Sequence, residues 1–375
     1  MCDMDGVRSA YIQRRSLPSE HTVVVDAMES RKVQKVGTST LTISLPKPWV
    51  EKFGLKQGDQ VFLEEEGAFL KVTPAAMATR RKSAPEYTID ADLCDEPGVL
   101  NRVIVGNYVL GRERLVIRAT GRVKSEHLRE AREAARRLMG MGIIEETASR
   151  ITLQCSIEPT KYPVDTLIKR LYNLSSTMLD ESIEALVTKD KGLAEDALHR
   201  EDDADMMYWL LIRLLLSAQA DDSLLEQLGL RNRLEITGYR LIAKELETVA
   251  DYGEDIANNV ITLLDEDVEV PTSLVKALKD LAEGVRDVYS KGIGGLLSRD
   301  LKLANQSITA REEMKRKETK FMKLLFEEIE EPTVLLGFRN IIDGVQRMAD
   351  YGTSIAVIAF NRYLEKPSNL CKPSV

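Results

Sequence analysis

Cysteine, aromatic residues and long apolar runs are all scarce in this sequence. The four cysteines, Cys2, Cys94, Cys155 and Cys371, lie far apart with no short pairing. Nothing in that spacing suggests a disulfide framework or a thiolate zinc site, which fits a reducing compartment. Aromatics make up 5 % of a chain that is 30 % charged, a balance that favours helical bundles over sandwiches or barrels. The longest apolar stretch, residues 206–218, is broken by Arg213 and falls far short of a membrane span. No apolar signal-peptide core opens the chain, so a cytoplasmic protein is expected. The net charge of −8 over 375 residues argues against a protein coated in nucleic acid along its length. It leaves room for one basic module on an acidic body, so charge has to be read by segment.

The fold class expected is α+β: a small N-terminal β module, a small α/β middle domain and an all-α duplicated three-helix domain. Residues 1–27 show no clean period and read as a disordered leader, which makes Met28 a candidate start. Residues 28–75 hold the N-terminal module. Alternation at 40–45 predicts a strand, Pro46 and Pro48 open a short helix at 49–53, and Gly54 closes it. A hairpin follows, with strands at 60–64 and 69–73 around a Glu65-Glu66-Gly67 turn. Short strands of this kind bury little apolar surface alone, so pairing with a second copy is expected. A linker at 75–85 leads to the middle domain, 86–158, read as β-α-β-α-β. Its helix at 125–139 takes Ser125 as N-cap and stops at Gly140-Met141-Gly142. This unit has no phosphate-cradling glycine loop and no nucleophile elbow, which points to a spacer or regulatory domain and away from an enzyme.

The rest is helical and occurs twice, at 162–265 and 272–366. LVTKDKGLAEDA at 186–197 aligns with LLSRDLKLANQS at 296–307, an offset of 110. ELETVADYGEDIA at 245–257 aligns with GVQRMADYGTSIA at 344–356, an offset of 99, and both contain Ala-Asp-Tyr-Gly. Each repeat is expected to hold three long amphipathic helices, with Leu167, Leu171, Leu174 and Met178 forming the core stripe of the first.

Two carboxylate pairs in the first repeat, Glu201/Asp205 and Glu247/Asp251, are spaced i, i+4 on one face of their helices. Like charges at that spacing repel by roughly 0.2–0.5 kcal/mol, a penalty that a bound cation removes. If the two helices are neighbours, the four groups make an all-oxygen site for Fe(III), Mn, Mg or Zn. A solvated acidic face is the alternative. His199, Asp202, Asp203 and Asp255 lie nearby, His199 being read as an ordinary surface residue. In the second repeat, Glu201 and Asp205 align with Arg311 and Lys315, Glu247 with Gln346, and Asp251 with Asp350. Arg311 and Lys315 would both repel a cation, so any metal site belongs to the first repeat.

The duplicated layout, Arg200-Glu201-Asp202-Asp203-Ala204-Asp205 and the Glu247-to-Asp251 motif resemble the PhoU family of phosphate-uptake regulators. The resemblance covers about 200 residues. It implies a multinuclear metal cluster, iron or zinc, on the E/D-x-x-x-D carboxylates, and phosphate transporter or sensor proteins as partners. At the N-terminal end, Arg31 to Gly37, the strand into Leu45-Pro46, Gly54-Leu55 and Gly58-Asp59 resemble the AbrB family of swapped-hairpin DNA-binding dimers. Thr38-Ser39-Thr40 departs from that pattern, in which an Arg commonly follows the glycine. Charge points the same way without the resemblance. Between residues 31 and 60, Arg31, Lys32, Lys35, Lys47, Lys52 and Lys56 stand against Glu51 and Asp59. Such a local excess supplies the salt-sensitive attraction to phosphates that DNA binding needs. Arg31, Lys32, Lys35 and Lys47 are the expected DNA contacts. The leading expectation is a phosphate-responsive transcriptional regulator, with DNA and a second copy as partners. The alternative is a PhoU-like adaptor that restrains phosphate transport by protein contact and uses its N-terminal module only to dimerise. A metal-dependent phosphohydrolase is a third, weaker reading.

Overall fold

The computed structural model describes residues 30–66, 69–75, 85–266 and 270–373. The expected leader at 1–27, Met28, Gly67 and most of the expected linker at 75–85 lie outside them. The chain divides into two compact units, Met1–Lys82 and Ser83–Val375.

In the first unit, β1 (Gln34–Val36) and β2 (Thr40–Thr42) form one antiparallel hairpin. Helix α1 (Lys47–Phe53) follows, with Pro48 in its first turn and Gly54 ending it at φ 63°, a left-handed conformation that glycine adopts without strain. Then β3 (Val61–Glu66) and β4 (Phe69–Pro74) form a second hairpin, so Glu65 and Glu66 extend the strand in place of the expected turn. Among the described residues of this unit only Pro74 is buried. Val36, Leu41, Ile43, Phe62, Leu63 and Phe69 are all more than half exposed. One copy of the module has almost no interior.

The second unit begins with a four-stranded sheet: β5 (Glu86–Asp90), β6 (Arg114–Arg118), β7 (Met141–Glu146) and β8 (Arg150–Cys155), in the order β5-β6-β8-β7. The pair β5/β6 is parallel, and β6/β8 and β8/β7 are antiparallel. Strand β7 is an addition to the expected β-α-β-α-β order. Its Met-Gly-Ile-Ile-Glu-Glu has no polar-apolar alternation, and a bulge between Ile143 and Glu145 shifts its register. Helices α2 (Val99–Val109) and α3 (Ser125–Arg137) close a core that includes Ile104, Tyr108, Leu115, Ile117 and Leu153. Ser125 is the first helical residue of α3 and makes no cap bond; Lys124 holds the cap position. The α2 start is instead capped from α3, where Glu130 accepts the N–H groups of Gly98 (2.9 Å) and Asn101 (2.8 Å).

Among the described residues seven α-helices follow: α4 (Val164–Thr188), α5 (Lys191–Ala220), the short α6 (Asp222–Gln227), α7 (Arg233–Asp265), α8 (Thr272–Ser298), α9 (Leu301–Glu328) and α10 (Pro332–Leu364). The duplication is most faithful at the turns. Lys189 and Arg299 both end a helix at positive φ, 57° and 55°, and Asp190 and Asp300 both cap the next one. The offset drops from 110 to 99 because α6 is inserted where the second repeat turns within residues 329–331. Leu167, Leu171 and Met178 are buried as their spacing predicts, and Leu174 packs partly buried beside them. Arg213 on α5 joins this bundle to the end of α2 in the sheet domain. Its buried guanidinium donates to the carbonyls of Tyr108, Gly111 and Arg112 around the end of α2, saturating backbone acceptors that a helix terminus leaves open.

Candidate metal centre and the cations around it

Helices α5 and α7 pack together and bring the two carboxylate pairs into one electrostatic neighbourhood. Glu201, Asp205 and Glu247 are largely shielded, with side chains 17 %, 19 % and 12 % exposed. Burial, then the charges of Asp205 and Glu254, push Glu201 up to about 7, although Arg137 opposes the rise. Burial and then Glu247 push Asp251 up to about 6. Asp205 is also raised by burial, against the pull of Arg137. A carboxylate held above its ordinary range gains when positive charge arrives. Four carboxylates are also the donor set that hard cations take. His199 is exposed, as expected of a surface residue.

Two side chains already supply positive charge here, and neither is among the residues the sequence singles out. Arg137, the last residue of α3 in the sheet domain, reaches across to α5. Its Nη2 lies 3.0 Å from Asp205 Oδ2, 3.5 Å from Asp202 Oδ1 and 4.0 Å from Glu201 Oε2. From α7 itself, Lys244 Nζ donates to Glu247 Oε2. Among the described residues, no set of three or more His, Cys, Asp or Glu side chains converges closely enough to hold one ion. Lys244 has a sequence signal, three residues before Glu247 on the same helix face. For Arg137 the only local signal is the Arg136-Arg137 end of a helix, where cations favour the macrodipole.

The second repeat resolves the same location differently. Arg311 takes the place of Glu201 and turns inward. Its Nε donates to Asp350 Oδ1 at 2.6 Å and its Nη1 to Glu318 Oε1 at 2.7 Å, and both Arg311 and Glu318 are buried. Lys315, expected to act beside Arg311 as a second repelling charge, faces outward instead and pairs with exposed Glu312.

The expected DNA contacts lie in the first unit, with Lys35 on β1 and Lys47 opening α1. Arg31, Lys32, Lys35 and Lys47 are all exposed, and Lys47 lies 3.7 Å from Glu51 on the same helix. No helix among the described residues is long and apolar enough to cross a membrane.

Comparison with known proteins follows the same division. The PhoU domain profile matches residues 168–260, which run from α4 to α7. The profile of the antidote-toxin recognition MazE module of bacterial antitoxins matches residues 34–79. No curated protein matches the chain. Among solved structures, PhoU from Pseudomonas aeruginosa is 16 % identical with a TM-score of 0.46, covering 54 % of this chain and 96 % of its own. The phosphate transport system regulatory protein PhoU from Streptococcus pneumoniae is 18 % identical with a TM-score of 0.42, covering 54 % and 94 %. The chain thus carries a PhoU domain over α4 to α7 and, at its N-terminal end, a module of the MazE and AbrB kind.

Proposed function

We propose that this chain is a phosphate-responsive transcriptional regulator. Its N-terminal module pairs with a second copy and binds DNA, while its first helical repeat binds metal and a signalling partner. The observation that carries the reading is the union, on one chain, of a PhoU domain with a nearly coreless β module whose residues 31–60 carry an excess of positive charge. Exposed Leu41, Phe62 and Phe69 favour pairing of two modules, since apolar surface left in water by one copy is buried between two. Exposed Arg31, Lys32, Lys35 and Lys47 supply the charge for phosphate contacts.

Once released by Arg137 and Lys244 and drawn together, Glu201, Asp205, Glu247 and Asp251 would hold the metal: a multinuclear iron or zinc centre by the PhoU resemblance, with Mn or Mg suiting the same oxygen donors. Bound there, metal would supply concentrated positive charge to Glu201 and Asp251, which burial and neighbouring carboxylates have raised. The second reading is an adaptor that acts on a phosphate transporter or sensor by protein contact. The antitoxin type of the matched module favours it, because toxin recognition is protein recognition. Fluorescence anisotropy with the chain's own upstream DNA separates the two. The regulator binds this DNA more tightly than scrambled DNA, whereas the adaptor shows no preference. Neither reading is enzymatic, and a phosphatase assay on the metal-loaded protein is expected to show no turnover.

A further inference from the structure

We infer that Arg137 is a removable internal cation, so that the sheet domain and a metal ion compete for the carboxylates of the first repeat. The inference rests on the metal-site reading above and assigns its regulation to a residue outside the helical bundle.

Comparison of the two repeats supports it. In the second, the cation is built in: Arg311 is buried, lies within its own repeat and makes two short bonds to Asp350 and Glu318. That location in this fold is therefore one where positive charge is stabilised. In the first repeat Glu201 takes the place of Arg311, and the guanidinium arrives from another domain. Arg137 is 45 % exposed and holds its carboxylates at unequal distances of 3.0 to 4.0 Å. One delocalised charge held that loosely is a weak competitor for a divalent ion, which places two charges about 2.1 Å from each oxygen.

The remaining contacts decide how far the effect reaches. Arg213 anchors α2 through three backbone carbonyls and uses none of the four carboxylates. The sheet domain therefore stays docked when Arg137 is displaced. What loosens is the last turn of α3, which leads directly into edge strand β7. Cation binding in the PhoU domain is thereby reported on the sheet domain, giving residues 86–158 a role as the sensor's output.

The test is calorimetric titration of Zn²⁺ into full-length wild type, Arg137→Ala and Arg137→Lys, with amide exchange across residues 125–146 measured with and without Zn²⁺. Removing the competitor is expected to tighten Zn²⁺ binding roughly fivefold in Arg137→Ala, with Arg137→Lys falling between it and wild type. Exchange in the last turn of α3 is expected to rise on Zn²⁺ addition in wild type. In Arg137→Ala it starts high and does not change. The wild-type exchange experiment needs no variant and decides the matter even if Arg137→Ala folds poorly. Equal Zn²⁺ affinity in all three proteins with unchanged α3 exchange overturns the competition and leaves the metal site standing. Absence of Zn²⁺ binding in both wild type and Arg137→Ala overturns both.

Discussion

At the scale of single residues, this molecule repeatedly surrounds buried acids with arginine. Glu235, 1 % exposed, faces Arg231, Arg299 and Arg362 from three different helix ends. Burial alone would raise its carboxyl. The backbone N–H and guanidinium of Arg231, with Arg362, outweigh burial and hold it below 4.5. A carboxyl depressed in the folded state contributes stability above its unfolded value of 4.5 and loses it as pH falls through the folded one. Glu235→Gln leaves buried Arg362 with Glu365, 3.5 Å away, as its remaining counter-charge and is expected to destabilise the chain by about 3 kcal/mol in urea unfolding at pH 7. The gap from wild type should narrow below pH 4.5. An unchanged midpoint would contradict a structural role for this cluster. The four carboxylates of the candidate metal site are legible in the sequence because their spacing is local, fixed by one helical turn. Arg137 is not, since its bond to Asp205 spans 68 positions and joins two domains. No periodicity encodes such a pair.

At the scale of elements, the duplicated Ala-Asp-Tyr-Gly has a packing explanation. A Cβ on Gly253 would meet Met178 Cβ at 3.0 Å, and one on Gly352 would meet Tyr289 Cα at 3.0 Å. The glycine lets the third helix of each repeat approach its first. The two positions differ in what could give way. At Gly253 the single fixed obstacle is Met178 Cβ, the next atom being the movable Cε at 3.2 Å, while at Gly352 both Cα and N of Tyr289 stand within 3.3 Å. Gly352→Ala is therefore expected to destabilise by about 1–3 kcal/mol, and Gly253→Ala by less. Thermal unfolding of both variants checks the order, and the reverse order would refute this explanation of the motif. The helices are readable because 3.6-residue periodicity persists over 25 to 33 residues in α4, α7 and α10. Strand β7 escapes notice because six residues with a bulge carry too little pattern to separate strand from loop.

At the scale of the whole molecule, the proposed function requires two copies. The first unit leaves Leu41, Phe62, Leu63 and Phe69 in solvent, whereas Ser83–Val375 carries extended cores of its own. Light scattering should find the full chain dimeric or larger and a chain beginning at Ser83 reduced in oligomeric order. A full chain that remains monomeric at micromolar concentration would remove the paired module. Replacing Arg31, Lys32 and Lys35 together with Ala should weaken DNA binding to all sequences. The salt slope should fall by roughly 0.9 for each phosphate that is no longer neutralised. The claim on which the rest depends is that the two repeats have diverged, the first open to an external cation and the second closed by Arg311. Elemental analysis of full-length protein purified without a tag tests it most directly. Metal is predicted in wild type and in Asp350→Ala, and none in Asp251→Ala. Equal metal in Asp251→Ala and wild type, or metal missing from Asp350→Ala alone, would contradict the claim.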